Sequence, residues 1–276
     1  MNFTVIRYIS FFIFLIMLGC KPHKNQFLEI KGNVFGTTFI IKHSDIQQRD
    51  FSKEIAEIFN NFNNALSTYH QNSTISLLNN GLLEVSVKSD FKNVFLLAKK
   101  IHQKTNGYFD PTIGKMVNPW GFGPLKNEGL PTKKEVDSLM QYVGFEKISL
   151  KNDKIRKQDP NIFIDFNAIA KGYGVDLIGY FLERKGVENY LIEIGGEIRV
   201  RGKNNKGTNW FIGIDDPNVD GTRSYQKIAE LNNESMATSG NYRKFKIDSI
   251  TGKKITHTLN PKTGCPAKTD LLSVSA

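Results

Sequence analysis

Cysteine is almost absent: the 276-residue chain holds two, Cys20 and Cys265. With Cys20 claimed by the leader described below, no intramolecular disulfide is available, and the core must be held by packing. Long apolar runs are missing as well; the longest, about ten residues near the amino terminus, is too short to cross a bilayer as a stable helix. No repeat or low-complexity tract interrupts the sequence, and strands and helices lack the regular βαβ rhythm of a parallel sheet. Acidic residues are in deficit, 27 against 37 Lys plus Arg, for a formal net charge of +10. Basic and aromatic residues do not interleave along a stripe, so nucleic acid is not an expected partner. An anionic small ligand or an anionic leaflet suits the charge better.

What is present begins with MNFTVIRYISFFIFLIMLGC, in which Arg7 precedes a nearly unbroken apolar run from Ile9 to Leu18 and then Gly19-Cys20. This is a short secretory leader. A cysteine directly after a small residue at the end of such a run is where lipoproteins are cleaved and acylated. Residues 1–20 therefore read as a lipoprotein signal peptide and 21–276 as the mature domain. Two or more acyl chains at Cys20 suffice for stable anchoring, and the expected location is the periplasmic or other extracytoplasmic face of a bacterial membrane. Cleavage leaves 256 residues, with 36 basic against 27 acidic side chains.

The mature chain opens on FLEIKGNVFGTTFIIK, residues 27–42, whose β-branched and aromatic residues flank a Gly36 break and predict a hairpin or two short strands. Phe51, Ile55, Ile58, Phe59, Phe62 and Leu66 recur at helical spacing, with Asp50 as a cap. A second helix is expected from Ser89-Asp90 to a left-handed stop at Asn106-Gly107. A third carries a capping box, Thr132 with Glu135, and stops at Gly144. Ile162 to Asp165 reads as a short strand entering a helix from about Asn167 to Lys185. Strands then follow at YLIEIGGEIRVRG, NWFIGID and YQKIAEL, with a hairpin from YRKFKID to KKITHTLN about residues 249–252. The grouping is uneven, so the expected class is α+β, one compact domain of antiparallel sheets and packed helices.

Three clusters hold residues suited to chemistry. In DFNAIAKGYGVD, Asp165 to Asp176, the small residues Ala168, Ala170, Gly172 and Gly174 crowd the start of a helix beside Lys171. That arrangement suits a phosphate or pyrophosphate approaching unpaired N–H groups; close helix packing explains the same small residues equally well. In GYFDPTIGKMVNPWGFG, Gly107 to Gly123, the aromatics Tyr108, Phe109 and Trp120 alternate with turn residues and Asp110. This fits a wall stacking a flat ring, or a packed aromatic mini-core. His257, in the polar run THTLNPKTGCP, is placed as a proton acceptor or donor, or as a structural histidine. Tyr69 offers a further stacking ring. Glu193 and Glu197 flank Gly195-Gly196, and a carboxylate pair would suggest acid/base chemistry of glycosidase type were the two to converge.

Taken in order, FGTTF (35–39), STYHQNSTISLLN (67–79), GYFDPTIGKMVNPWGFG, DFNAIAKGYGVD, LIEIGGEIRVRG (191–202), ATSGNYRKF (237–245) and HTLNPKTGCP (257–266) resemble the motifs of the FAD:protein FMN transferases, the ApbE-like flavin-trafficking lipoproteins. The resemblance implies a flavin pocket near Phe35, with Tyr69 beside the ring system and Tyr108, Phe109 and Asp110 contacting FAD. It makes Asp165 and Lys171 FAD contacts, sets His257 near the pyrophosphate, and has Ala168 give its carbonyl to Mg²⁺. Phe35 stands where the family commonly has methionine, and Cys265 where an aromatic is usual. Relatives continue past a final strand into a helix whose Asp and Thr complete the metal site. This sequence stops at LLSVSA, so it reads as C-terminally truncated, with an incomplete magnesium site.

The implied reaction is attack by a Ser or Thr hydroxyl of an extracytoplasmic electron-transfer protein on the FMN phosphorus of FAD, with AMP leaving. Lys171 would offset charge on the pyrophosphate, and His257 is the nominated base. Three other readings are a lipoprotein that binds FAD without transferring it, a pyrophosphatase using water to release FMN and AMP, and a solute-binding or structural lipoprotein without flavin.

Overall fold

The alternation of residues 27–44 is realised as two antiparallel strands, Phe27–Val34 (β1) and Thr37–Ser44 (β2), joined by the tight turn Phe35-Gly36. In the computed structural model, residues 26–123, 129–217, 222, 224–242, 245–248, 252 and 254–276 are described. The leader and its Cys20 lie outside the described residues.

Helix Ser52–Leu66 (α1) follows, entered through Asp50, whose carboxylate accepts from Ser52 N–H at 2.9 Å and Ser52 Oγ at 2.6 Å. Then come Thr74–Asn79 (α2), Glu84–Ser86 (β3), Ser89–Lys104 (α3), Lys133–Met140 (α4), Ile148–Lys151 (β4), Lys154–Lys157 (β5) and Asn167–Arg184 (α5). The chain continues through Asn189–Ile194 (β6), Glu197–Arg201 (β7), Trp210–Asp215 (β8), Tyr225–Leu231 (β9), Ser235–Met236 (β10) and Thr238–Gly240 (β11). It ends with Phe245–Ile247 (β12), Lys254–Thr256 (β13), Leu259–Asn260 (β14), Cys265–Pro266 (β15) and Ser273–Ser275 (β16). The class is α+β, as expected.

The largest sheet runs β1-β2-β6-β7-β10, antiparallel throughout. Successive side chains of a strand point to opposite faces, so Phe39, Ile41, Ile192 and Ile194 share one face and pack on Ile55 and Phe59 of α1 and Val175, Ile178 and Leu182 of α5. Ile198 and Val200 point the other way, onto Trp210, Ile212, Leu231 and Met236. A second core gathers Phe62, Leu78, Phe91, Val94, Phe95, Ile155, Ile164 and Phe166, between the helices and a three-stranded sheet β3-β5-β4. α5 serves both cores, with Ala170 in one and Val175 in the other, which is why its apolar residues go all round rather than forming one stripe.

The capping box of α4 is present in both directions, and Asn106 and Gly107 take the left-handed conformation at φ 49° and 80°. The predicted strand over 162–165 is replaced by an extended segment with a single parallel bridge, Phe163 to Ile113. The Ile164 backbone groups are spent on a side chain: Asn79 receives the Ile164 N–H at 2.8 Å and donates to the Ile164 carbonyl at 2.9 Å. The hairpin between β12 and β13 is present, though residues 249–251 of its turn are outside those described. The strand read at LLSVSA is β16, paired antiparallel with β11.

Arg199 locks α5 to β7. It lies against Gly179, where a Cβ would come within 2.8 Å of its Nε, and reaches Asp176 at 2.7 Å, Glu183 at 2.9 Å and Tyr190 Oη at 3.1 Å. Lys157, buried and with no ion pair among the described residues, donates to the carbonyls of Leu78, Pro160 and Ile162. Burial brings its pKa down to about 8.

His43 gives a pH-dependent element. Its ring is fully buried beside Phe51, and among the described residues neither ring nitrogen has a hydrogen-bond partner. Burial lowers its pKa, outweighing the pull of Asp45 and Asp50, with Arg49 adding a smaller push in the same direction as burial. The folded state thus binds the proton less readily than the unfolded chain. This contribution to stability is intact above the unfolded value of about 6.5 and is lost as pH falls from there toward the lower folded value. Thermal unfolding between pH 7.5 and 5 should show that loss, and His43→Leu should flatten it; an equally steep variant curve would assign the loss to other groups.

Candidate active site

Two tight turns meet at one end of the main sheet. In the β1–β2 turn, Phe35 and Gly36 have φ of 53° and 73°; in the β6–β7 turn, Gly195 and Gly196 have 54° and 97°. Positive φ at both central residues is the geometry that matches strand twist in two-residue hairpins. It is uncommon for phenylalanine, and Phe35 is held there by ring contacts to Phe59 at 5.7 Å and Phe62 at 4.4 Å. The amino-terminal half of α5 lies against both turns. A Cβ on Gly174 would sit 2.8 Å from Phe35 Cε2, and one on Gly195 would sit 2.6 Å from Thr37 Cγ2.

The two readings of the glycine-rich helix start therefore apply to different residues. Gly174 is small because Phe35 packs on it, whereas Gly172 faces open space and Ala168 is exposed. Lys171 leans from α5 to the β6–β7 turn. Its ammonium donates to the Gly195 carbonyl at 3.0 Å and lies 2.6 Å from Glu197 Oε2. Glu193 does not join this pair. It is paired in register with Ile198, and Glu197 with Ile194, so the two carboxylates occupy opposite faces of the hairpin. Glu193 accepts instead from Gly196 N–H at 2.6 Å. The carboxylate pair of glycosidase type is thereby ruled out by the register.

Asp165 joins this region to the aromatic loop. Its N–H donates to the Pro111 carbonyl at 2.8 Å, and a Cβ on Gly114 would strike Phe163 Cδ1 at 2.5 Å and Asp165 Cβ at 2.9 Å. The carboxylate accepts from Asn167 N–H at 2.6 Å and from its Nδ2 at 3.1 Å. Burial raises its pKa against those hydrogen bonds.

Asp110 is buried and fully engaged by protein groups. Oδ1 accepts from Thr112 N–H at 2.9 Å and Thr112 Oγ1 at 2.6 Å, and Oδ2 from Phe145 N–H at 2.9 Å. His102 Nδ1 is 2.8 Å from the Phe109 carbonyl and 3.5 Å from Asp110 Oδ2. Since a carbonyl only accepts, Nδ1 carries the proton.

The carboxy-terminal motifs close over the same loop. Trp120 Nε1 donates to the Gly264 carbonyl at 2.7 Å, Phe122 meets the His257 ring edge-on at 6.2 Å, and Lys262 Nζ stands 4.1 Å over the Tyr108 ring. Tyr108 is otherwise 63% exposed, which leaves part of its ring open to a ligand. Tyr69 is 74% exposed on the loop between α1 and α2; among the described residues, no ring contact or hydrogen bond joins it to the other named site residues. Sequence reasoning missed His102 and the pairing of Glu197 with Lys171. The only available signals were a histidine near a helix end and a carboxylate two residues past a glycine.

A sequence profile of the ApbE family matches residues 35–276. The chain belongs to the ApbE family. It is 34% identical to the FAD:protein FMN transferase of Haemophilus influenzae over 95% of this chain and 78% of that protein, and equally identical to that of Vibrio cholerae over 95% and 79%. Its fold superposes on the flavin transferase ApbE of Vibrio cholerae with a TM-score of 0.80, 32% identity and coverage of 91% of this chain and 81% of that one. The apo flavinyl transferase ApbE of Pseudomonas stutzeri gives a TM-score of 0.80 at 28% identity.

No group of three His, Cys, Asp or Glu side chains converges among the described residues. The Ala168 carbonyl is one oxygen where Mg²⁺ takes six near-octahedral ligands.

Proposed function

We propose that this chain transfers FMN from FAD to a Ser or Thr hydroxyl of an extracytoplasmic electron-transfer protein. The observation that carries the reading is the meeting of the separated motifs: the Phe35 and Gly195 turns, the Lys171 end of α5, and the Tyr108 and His257 strip stitched on through Asp165 and Pro111. FAD would lay its ring system toward Phe35, Tyr69 and Tyr108 and its diphosphate toward Gly172 and Lys171. The acceptor oxygen bonds to the FMN phosphorus, the bond from that phosphorus to the bridging oxygen breaks, and AMP leaves with the oxygen. The hydroxyl proton passes to a base, for which His257 is the nominee, since an imidazole nitrogen can accept it. Lys171 meets charge growing on the pyrophosphate oxygens.

Location follows from the leader. We assign residues 1–20 as a signal peptide and Cys20 as the acylated residue, which holds the enzyme on the extracytoplasmic side, where its acceptor would be found.

The test is the mass of a purified acceptor domain carrying a flavinylation motif, after incubation with the full chain in detergent and FAD, with and without Mg²⁺. A gain equal to one FMN, with AMP released in equal amount, is the expected result. AMP without a mass gain would make the protein a pyrophosphatase. FAD binding with neither product would make it a flavin carrier.

A further inference from the structure

We propose that Glu197 is a positioning residue for Lys171, holding its ammonium in place and moderating its charge toward the diphosphate of FAD. This rests on the reading above, in which Lys171 faces that diphosphate.

The geometry starts from the turn. Gly195 and Gly196 both take positive φ, and Thr37 fills the space a Cβ on Gly195 would need. The turn is thus fixed against β2. Register pairs Glu197 with Ile194, which puts its side chain on the sheet face that carries α5, where it is 17% exposed. From that face the hairpin meets Lys171 twice, through the Gly195 carbonyl, which accepts a hydrogen bond at 3.0 Å, and through the Glu197 carboxylate, a counter-ion whose Oε2 lies 2.6 Å from the ammonium. An ammonium has three N–H donors and no acceptor. One N–H is committed to the Gly195 carbonyl, while Glu197, its Oε2 buried and with no hydrogen-bond partner among the described residues, acts on the ammonium as a charge.

Two consequences oppose each other. A lysine side chain is a flexible stem with much rotamer freedom, and Glu197 removes that freedom, so the charge is already in place when the pyrophosphate begins to break. The same carboxylate is an anion beside an anionic substrate, and it weakens FAD binding in the ground state. Restraining the group while lowering ground-state affinity favours the rate of the bound complex, because only interactions stronger in the transition state accelerate the chemical step. A merely structural ion pair predicts neither effect.

Glu197→Gln keeps the side-chain volume and removes the charge. FAD affinity, read by flavin fluorescence on the full chain, should tighten about three- to tenfold, a coupling of the size typical between interacting groups. In a Lys171→Ala background the same substitution should change affinity less than about twofold, since the group through which Glu197 acts is gone. At saturating FAD and acceptor, the transfer rate of Glu197→Gln should fall about tenfold, and Glu197→Asp should recover part of it. Unchanged or weaker FAD binding in Glu197→Gln, or the same change with and without Lys171, would overturn the proposal. Thermal unfolding identifies a variant that has not folded, and Glu197→Ala, which also removes the charge, then supplies the binding cycle. An unmodified chain that binds FAD but transfers nothing would sink the transferase reading alone, and the binding cycle would still decide this one. A chain that binds no FAD would remove both.

Discussion

Lys171→Ala is expected to slow FMN transfer by about a hundred- to a thousandfold at saturating FAD, the usual loss when one preorganised donor to a developing anion is removed. The argument is positional. Lys171 stands beside Gly172 in α5, and its ammonium is held at the β6–β7 turn by the Gly195 carbonyl and the Glu197 carboxylate. Lys171→Arg should recover only part of the rate, because a planar guanidinium presents its charge and donors in a different geometry from a compact ammonium. Some stability is lost as well, since Glu197, 17% exposed, is left without its cation. Leaving a partly buried charged group without its partner costs about 1–3 kcal/mol, or about 2–4 °C in Tm per kcal/mol for a large domain. Single-turnover rates by acceptor mass, with a melting curve for each variant, separate the two effects. A transfer rate within threefold of the unmodified chain would make Lys171 a packing residue.

Asp110→Ala should be the most destabilising single change among the site residues. Its carboxylate ties three donors, Thr112 N–H, Thr112 Oγ1 and Phe145 N–H, and Thr112 Oγ1 in turn accepts from Gly144 N–H at 2.7 Å. Truncation leaves those donors buried and unpaired, at a cost of about 3–5 kcal/mol, comparable with breaking a buried charge pair. Tm should drop by about 6–20 °C at the slope for large domains. Asp110→Asn, which keeps an acceptor of the same shape but brings an amide that cannot serve both ends, should fall between. The same measurement decides what the residue is for. A large loss of Tm with FAD affinity retained means a structural tie that shapes the aromatic loop, whereas a small loss of Tm with affinity abolished means that the carboxylate meets the flavin directly.

Reading the sequence alone located the long elements because their signals are local. The apolar period of α1, the capping box of α4 and the left-handed stop at Asn106-Gly107 depend on residues within a few positions of one another. The small sheet β3-β5-β4 was not legible. KIRK, Lys154 to Lys157, looks like a solvated charge run, yet Ile155 and Lys157 are buried there because the helical core lies beneath one and three carbonyls surround the other. The strand predicted at 162–165 failed for the converse reason. Its apolar rhythm is that of a strand, but its neighbours are Asn79 and the aromatic loop rather than a sheet edge.

The order of motifs, the apolar faces and the residue types of the site were determined by the sequence, since each is a property of composition and spacing. The tertiary structure alone decided which of those residues act together. Glu193 and Glu197 are four positions apart, and the two-residue turn, with its strict alternation of faces, sends them to opposite sides. Lys171 and Glu197 meet because α5 packs on that sheet, and Asp110 is held in place by a Phe145 N–H thirty-five residues onward. Contacts of that range depend on how faces pack, and no local pattern records them.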